Sequence, residues 1–205
     1  MTRQLSEEAL LIFVKNPVRG QVKTRLAQGL DADRALDIYR LLLKRTRRIA
    51  LALPVRRIVY YTPRIDPHDD WRPPAFGKKR QQGADLGARM HHALREALTE
   101  HKAAILIGSD IANLSQEILA EAFQALRACD CVIGPARDGG YYLIGMKKAE
   151  EQLFSDIPWS TAEVYGETIK RMERLGLDYR ILPTLADIDT ADDWLEFKHD
   201  LEKED

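Results

Sequence analysis

Short apolar runs alternate with amphipathic helical patterns from one end of this chain to the other, which admits few folds besides a sheet covered on both faces by helices. Strands are expected at 9–14, 57–61, 78–81, 103–107, 131–133, 141–145 and 179–182. Helices are expected at 22–28, 32–51, 86–99, 115–126, 149–154, 162–175 and 191–201. The order predicts a three-layer α/β/α arrangement around a mostly parallel sheet. Ser160 followed by Glu163 reads as a capping box, Gly176 closes the helix it opens, and Pro54 stops the long helix after Leu53. Residues 62–77 carry Pro63, Pro67, Pro73, Pro74 and Trp71 and read as a loop.

Composition removes several classes of function. With 205 residues, 45% of them apolar, the chain can bury a core without staples, and one domain over 1–205 is expected. Lys and Arg number 31 against 32 Asp and Glu, a net charge of −1, so no overall positive field draws nucleic acid. The apolar run at 9–14 is too short to span a bilayer and no signal peptide precedes it, so a soluble chain is expected. Cys129 and Cys131 are too few for a four-ligand zinc site, and a reduced, cytoplasmic setting follows. Arg40, Lys44, Arg45, Arg47, Arg48, Arg56 and Arg57 read as a solvated helix face.

In an open parallel sheet, ligands bind beyond the carboxyl ends of the strands, and the polar signals fall there. After the first strand, Lys15, Lys23 and Arg25 surround a loop leading into a helix, where cations and free N–H groups suit a phosphate or diphosphate. Cations so gathered repel unless something anionic joins them. Val22 stands where a P-loop needs glycine, and no G-x-G-x-x-G occurs. Gln82 and Gly83 after the third strand are candidates to border a nucleotide, and Asp85 to cap the next helix or join them. His91 and His92 are adjacent on a helix and diverge, so they cannot chelate together. Gly108-Ser109-Asp110 ends the fourth strand: the glycine lets a ligand approach, and the carboxylate is a candidate for Mg²⁺ or Mn²⁺ shared with substrate phosphates. Asp187 and Asp189 offer two further carboxylates on one face of an extended segment, although Asp189 with Thr190 also suits a helix cap. Asp138-Gly139 before an aromatic run marks a hairpin, which leaves Asp138 and Gly140 for a ligand's approach. Trp159 either stacks on a sugar or packs down.

Taken in order, the K-T-R-L at Lys23–Leu26, the G-x-D-L-G from Gly83, the G-S-D from Gly108, the D-G-G-Y-Y-L-I-G from Asp138, the W-S-T from Trp159 and the D-I-D-T from Asp187 resemble a bacterial family of small GT-A-type glycosyltransferase-like proteins. Some of its members are named glycosyltransferases of arsenosugar biosynthesis. The resemblance runs from about Phe13 to Trp194. It implies the nucleotide-diphospho-sugar transferase fold, shared with small nucleotidyltransferases such as phospholactate guanylyltransferase. The family usually continues G-S-D with Cys-Pro, where this chain has Ile111-Ala112, and Ser109 stands where the D-x-D of many metal-dependent glycosyltransferases would put a nearby acid.

The resulting expectation is transfer of a glycosyl group from a nucleotide-diphosphate sugar to a small acceptor. Lys15, Lys23, Arg25 and a divalent metal on Asp110 and Asp189 would stabilise the departing diphosphate, and Asp138 would orient the sugar or activate an acceptor hydroxyl. Nucleotidyl transfer from a nucleoside triphosphate is the alternative, and a nucleotide-binding module without turnover the third reading.

Overall fold

The computed structural model describes residues 7–203. Seven strands form one sheet: β1 (Glu8–Lys15), β2 (Arg56–Thr62), β3 (Gly77–Arg80), β4 (Ala103–Ile107), β5 (Cys131–Pro135), β6 (Tyr141–Met146) and β7 (Tyr179–Ile181), in the order β3-β2-β1-β4-β6-β5-β7. Every neighbouring pair is parallel except those made by β6, which runs antiparallel to β4 and β5. Among the described residues six helices accompany it: α1 (Thr24–Gly29), α2 (Ala32–Leu51), α3 (Leu86–Leu98), α4 (Gln116–Ala128), α5 (Val164–Arg174) and α6 (Ala191–Lys203). A single 3-10 turn replaces the helix expected at 149–154. Among the described residues, no helix is long and apolar enough to cross a membrane.

The three layers follow from strands buried on both faces. Along β1, Leu10, Ile12 and Val14 face a core closed by α2 and α4, while Ala9 and Leu11 face one closed by α3 and α5. Such a strand reads as an unbroken apolar run because each parity has its own helical layer to pack against. A third apolar cluster, containing Leu26, Ile38, Leu42, Ile188 and Trp194, joins α1, α2 and α6 beside the sheet. It anchors the C-terminal segment next to the loop after β1.

Helix starts follow side-chain chemistry where a cap exists. Asp31, Asp85 and Ser115 accept the backbone N–H three residues on and open α2, α3 and α4. The capping box expected at Ser160 does not form. Ser160 has φ 66, the Thr161 hydroxyl bonds the Pro158 carbonyl instead, and α5 begins only at Val164. The first helix also starts later than expected, at Thr24, because Lys23 sits in the left-handed region. Gly139, at φ 87, closes the β5–β6 hairpin as its sequence implied, and a Cβ there would meet the Ala162 backbone at 2.3 Å.

Part of the basic cluster proves structural. The Arg57 guanidinium donates to the carbonyls of Ala50, Leu51 and Leu53 at the end of α2 and to Ala75, and lies 5.7 Å from the Phe76 ring centre. It therefore supplies donors that the last turn of a helix lacks and ties that turn to the proline-rich loop. Arg57→Ala is expected to lower stability by about 1.5–3 kcal/mol, the range for lost hydrogen bonds to a charged group. Urea denaturation followed by circular dichroism checks this. A loss below about 0.5 kcal/mol would return Arg57 to the solvated surface.

Candidate functional site

The carboxyl ends of β1 and β4 open into a cleft of about 400 Å³. Lys15 closes β1 at its edge, Gly108-Ser109-Asp110 follows β4, Lys23 and Arg25 come from the start of α1, and Asp189 comes from the segment before α6. Six of the residues singled out in the sequence thus meet in one place: Lys15, Lys23, Arg25, Gly108, Asp110 and Asp189.

Backbone pairing makes the meeting possible. The Ala112 N–H donates to the Ala186 carbonyl at 2.8 Å and the Ile188 N–H to the Asp110 carbonyl at 3.1 Å, so residues 110–112 and 186–188 run antiparallel. The Ile111-Ala112 departure bears on this pairing. A proline at 112 has no N–H and could not make the first of these bonds.

At the centre lies an ion triad. Lys23 Nζ donates to Asp110 Oδ2 at 2.8 Å and to Asp189 Oδ1 at 2.9 Å, and only 5% of the Lys23 side chain is exposed. Burial alone would pull this ammonium down, but the two carboxylates outweigh it and hold its pKa above the ordinary lysine range. Burial likewise opposes the charge on Asp110, and Lys23 overcomes it, keeping that carboxyl below its usual range. The cations of this loop were expected to stand unpaired and repel. Instead the chain's own carboxylates join Lys23, and Arg25 reaches within 3.7 Å of Asp189. Gly108 leaves room for this arrangement, since a Cβ there would lie 3.0 Å from Asp110 Oδ1.

Asp187 sits beside the triad with Oδ1 buried and unbonded. Burial first, then the neighbouring Asp110 and Asp138, push its pKa up to about 8, so at neutral pH this carboxyl is mostly protonated. Asp189 does not cap α6. Thr190 and Asp193 do so reciprocally, which frees the Asp189 carboxylate for Lys23.

Other expected residues lie elsewhere. Gln82, Gly83 and Asp85 line a separate polar hollow with His91 and His92, and Asp85 is the α3 cap. The glutamine that reaches the cleft is Gln81, whose side-chain amide donates to the Tyr60 and Val14 carbonyls. Gly83 contributes indirectly: its carbonyl accepts from Arg89 Nε at 3.2 Å, and Arg89 lines the cleft. Asp138 is not among the residues walling the cleft, nor is Gly140. Asp138 Oδ1 accepts the Gly140 N–H at 2.8 Å, an Asx turn inside the hairpin. Trp159 packs over Gly87 and edge-on to Tyr141.

Sequence reasoning missed Tyr39 and Arg89. The Tyr39 hydroxyl accepts from the Lys15 N–H at 3.0 Å, donates to the Lys15 carbonyl at 3.1 Å, and lies 3.4 Å from Ser109 Oγ, so it fixes the end of β1 against the end of β4. Both residues sit on helices that read as ordinary amphipathic patterns.

The divalent metal does not fit the site as it is arranged. Carboxylate oxygens are the right donors for Mg²⁺ or Mn²⁺, but the point on which Asp110 and Asp189 converge is taken by Lys23 Nζ. Among the described residues, no three His, Cys, Asp or Glu side chains are grouped to hold an ion.

The fold and the position of the cleft define the class: a three-layer α/β/α protein with the nucleotide-diphospho-sugar transferase fold. A Desulfovibrio desulfuricans G20 protein provisionally described as a nucleotide-diphospho-sugar transferase is 36% identical, with TM-score 0.85 over 91% of this chain and 84% of its own. CMP:2-keto-3-deoxy-manno-octonic acid synthetase, complexed with CTP, is 12% identical with TM-score 0.60 over 97% of this chain and all of its own. The 4-diphosphocytidyl-2C-methyl-D-erythritol synthase of Anaerococcus prevotii DSM 20548 is 12% identical with TM-score 0.58 over 96% of this chain and 99% of its own. No curated protein sequence matches. The chain belongs to the family described as "Uncharacterized protein conserved in bacteria (DUF2064)", whose pattern matches residues 45–161.

Two outcomes follow from the triad. Lys23→Ala is expected to lower the stability of the ligand-free protein by about 1–3 kcal/mol, because it strands partly solvated carboxylates beside one another. Arg25→Ala, whose side chain is 70% exposed, should stay within about 0.5 kcal/mol. Equal small losses in chemical denaturation would mean that the triad contributes nothing to the fold. The second outcome concerns pH. The unfolded chain releases the Asp187 proton near 3.8, whereas the folded protein keeps it up to about 8. Its stabilising contribution is therefore complete below about pH 4 and is lost as pH rises through about 8. Asp187→Asn should flatten the fall of Tm over that window, and an unchanged slope would show that Asp187 ionises normally.

Proposed function

We propose that the chain is a nucleotide-dependent transferase and that the reaction its cleft supports best is nucleotidyl transfer. The carrying observation is a cationic cleft at the carboxyl edge of the sheet, walled by Lys15, Lys23, Arg25 and Arg89, whose acids come from two distant segments rather than from one D-x-D. Likeness of fold to two cytidylyl-transferring enzymes over nearly their whole lengths supports this choice.

In the proposed reaction an acceptor oxygen attacks the α-phosphorus of a nucleoside triphosphate. The bond from that phosphorus to the bridging oxygen breaks, and the β- and γ-phosphates leave as pyrophosphate. Negative charge grows on the leaving group, and Lys15, Arg25 and Arg89, which line the cleft, would meet it with charge-assisted hydrogen bonds. Phe13, Val14, Val22 and Leu86 supply apolar wall in the same cleft for the nucleoside part. An acceptor that presents a phosphate oxygen needs no general base. Asp138, bound into its turn, is then outside the reaction.

Glycosyl transfer from a nucleotide-diphosphate sugar is the second reading, favoured by the description of the relative that shares 36% of its sequence. The two reactions give different products. Mass spectrometry of incubations with nucleoside triphosphates or nucleotide sugars and a panel of small phosphorylated and hydroxylated acceptors should show a nucleotide conjugate and pyrophosphate. A glycoside with free nucleoside diphosphate would overturn the first reading in favour of the second. Independently, Lys15→Ala and Arg89→Ala should each weaken triphosphate binding by about 1.5–3 kcal/mol and leave binding of the bare nucleoside unchanged, as calorimetry can measure. Wild-type affinity in both variants would remove the phosphate site from this cleft.

A further inference from the structure

An ammonium group is seated where two carboxylates from distant parts of the chain converge, and the local backbone is bent to put it there. Lys23 adopts φ 47, ψ 46, a left-handed conformation that residues with a Cβ rarely take, and its side chain makes no capping bond to α1. Helix initiation therefore does not explain a lysine at this position. The preceding residue, Val22, is buried with Leu36 and Tyr39, which directs the chain so that the Lys23 side chain turns inward to Asp110 and Asp189.

A divalent cation of the Mg²⁺ or Mn²⁺ kind would ask the same of these oxygens, with metal–oxygen distances of about 2.0–2.2 Å. The two claims conflict. An ammonium hydrogen-bonded to a carboxylate and a divalent ion on that carboxylate repel each other at close range. We propose that Lys23 is the resident cation of this site and competes with a divalent metal for Asp110 and Asp189, so that a metal enters only by displacing the ammonium. Affinity for the bare ion is thereby suppressed. The displaced ammonium is left in the cleft it already lines, where it adds to Lys15, Arg25 and Arg89, so metal entry and anion binding favour one another.

The inference concerns the nucleotide-free protein and stands whichever transfer the cleft performs, so its test uses Mn²⁺ alone. Binding to the full chain is followed through the paramagnetic resonance signal of the free ion. Lys23→Met should bind Mn²⁺ about tenfold or more tightly than wild type, and adding Asp110→Asn should cancel the gain. Equal or weaker binding by Lys23→Met overturns the proposal. A gain that survives Asp110→Asn overturns it too, because the ion then sits elsewhere. Should Lys23→Met not fold, the wild-type protein decides. Amine-reactive labelling read by mass spectrometry should spare Lys23 relative to the exposed Lys148 without Mn²⁺, and label it once Mn²⁺ saturates. Labelling of Lys23 that is indifferent to Mn²⁺ overturns the competition.

Discussion

Two backbone hydrogen bonds between the segment after β4 and the segment before α6 decide what the cleft contains. They turn residues 186–188 antiparallel to 110–112 and so bring Asp187 and Asp189 to Asp110. Without that pairing Asp110 would end its strand alone, Lys23 would have a single partner, and Asp187 would lose the burial and the neighbouring Asp110 charge that keep it protonated. The pairing in turn rests on apolar packing, because Ile188 and Ala112 are buried in the cluster that holds α6 against α1 and α2. Electrostatics at the site is thus a consequence of hydrophobic docking at its rear.

Much of the fold could be read from the sequence. The seven described strands fall where expected; in the inner ones burial on both faces leaves an apolar run, whereas the edge strands β3 and β7 stay partly exposed. Helices with Asp or Ser caps also began where expected. The failures came where the backbone did something the side chains do not advertise. Lys23 and Ser160 occupy the left-handed region without being glycine, and each delayed a helix. Of the candidate site, the loop residues at strand ends were legible because topology confines ligands to that edge. Tyr39 and Arg89 were not, because a functional residue on a helix shares the spacing of its structural neighbours. Gln81 was missed by one position, the smallest error that sends a side chain at a strand end in the opposite direction.

Charge in the cleft is sorted by burial rather than by count. The sequence shows cations and carboxylates in equal measure, which alone predicts nothing about who meets whom. In the structure the most buried cation takes the two carboxylates, the third acid is neutralised by its surroundings, and the exposed cations remain at the rim. Asp110 and Asp189 keep 37% and 38% of their side chains exposed in the same cleft, and Lys15, Arg25 and Arg89 are the further cations there to attract an anion.

The triad also spans the chain in time. Lys23 lies 87 residues from Asp110 and 166 from Asp189, and all seven strands are encoded before Asp189 is reached. A nascent polypeptide emerging from the ribosome therefore contains everything needed for the sheet while its buried lysine still lacks half of its counter-charge. Completion of the cleft waits on residues translated after the last strand. A prematurely terminated product that had built its sheet would still carry an unfinished site.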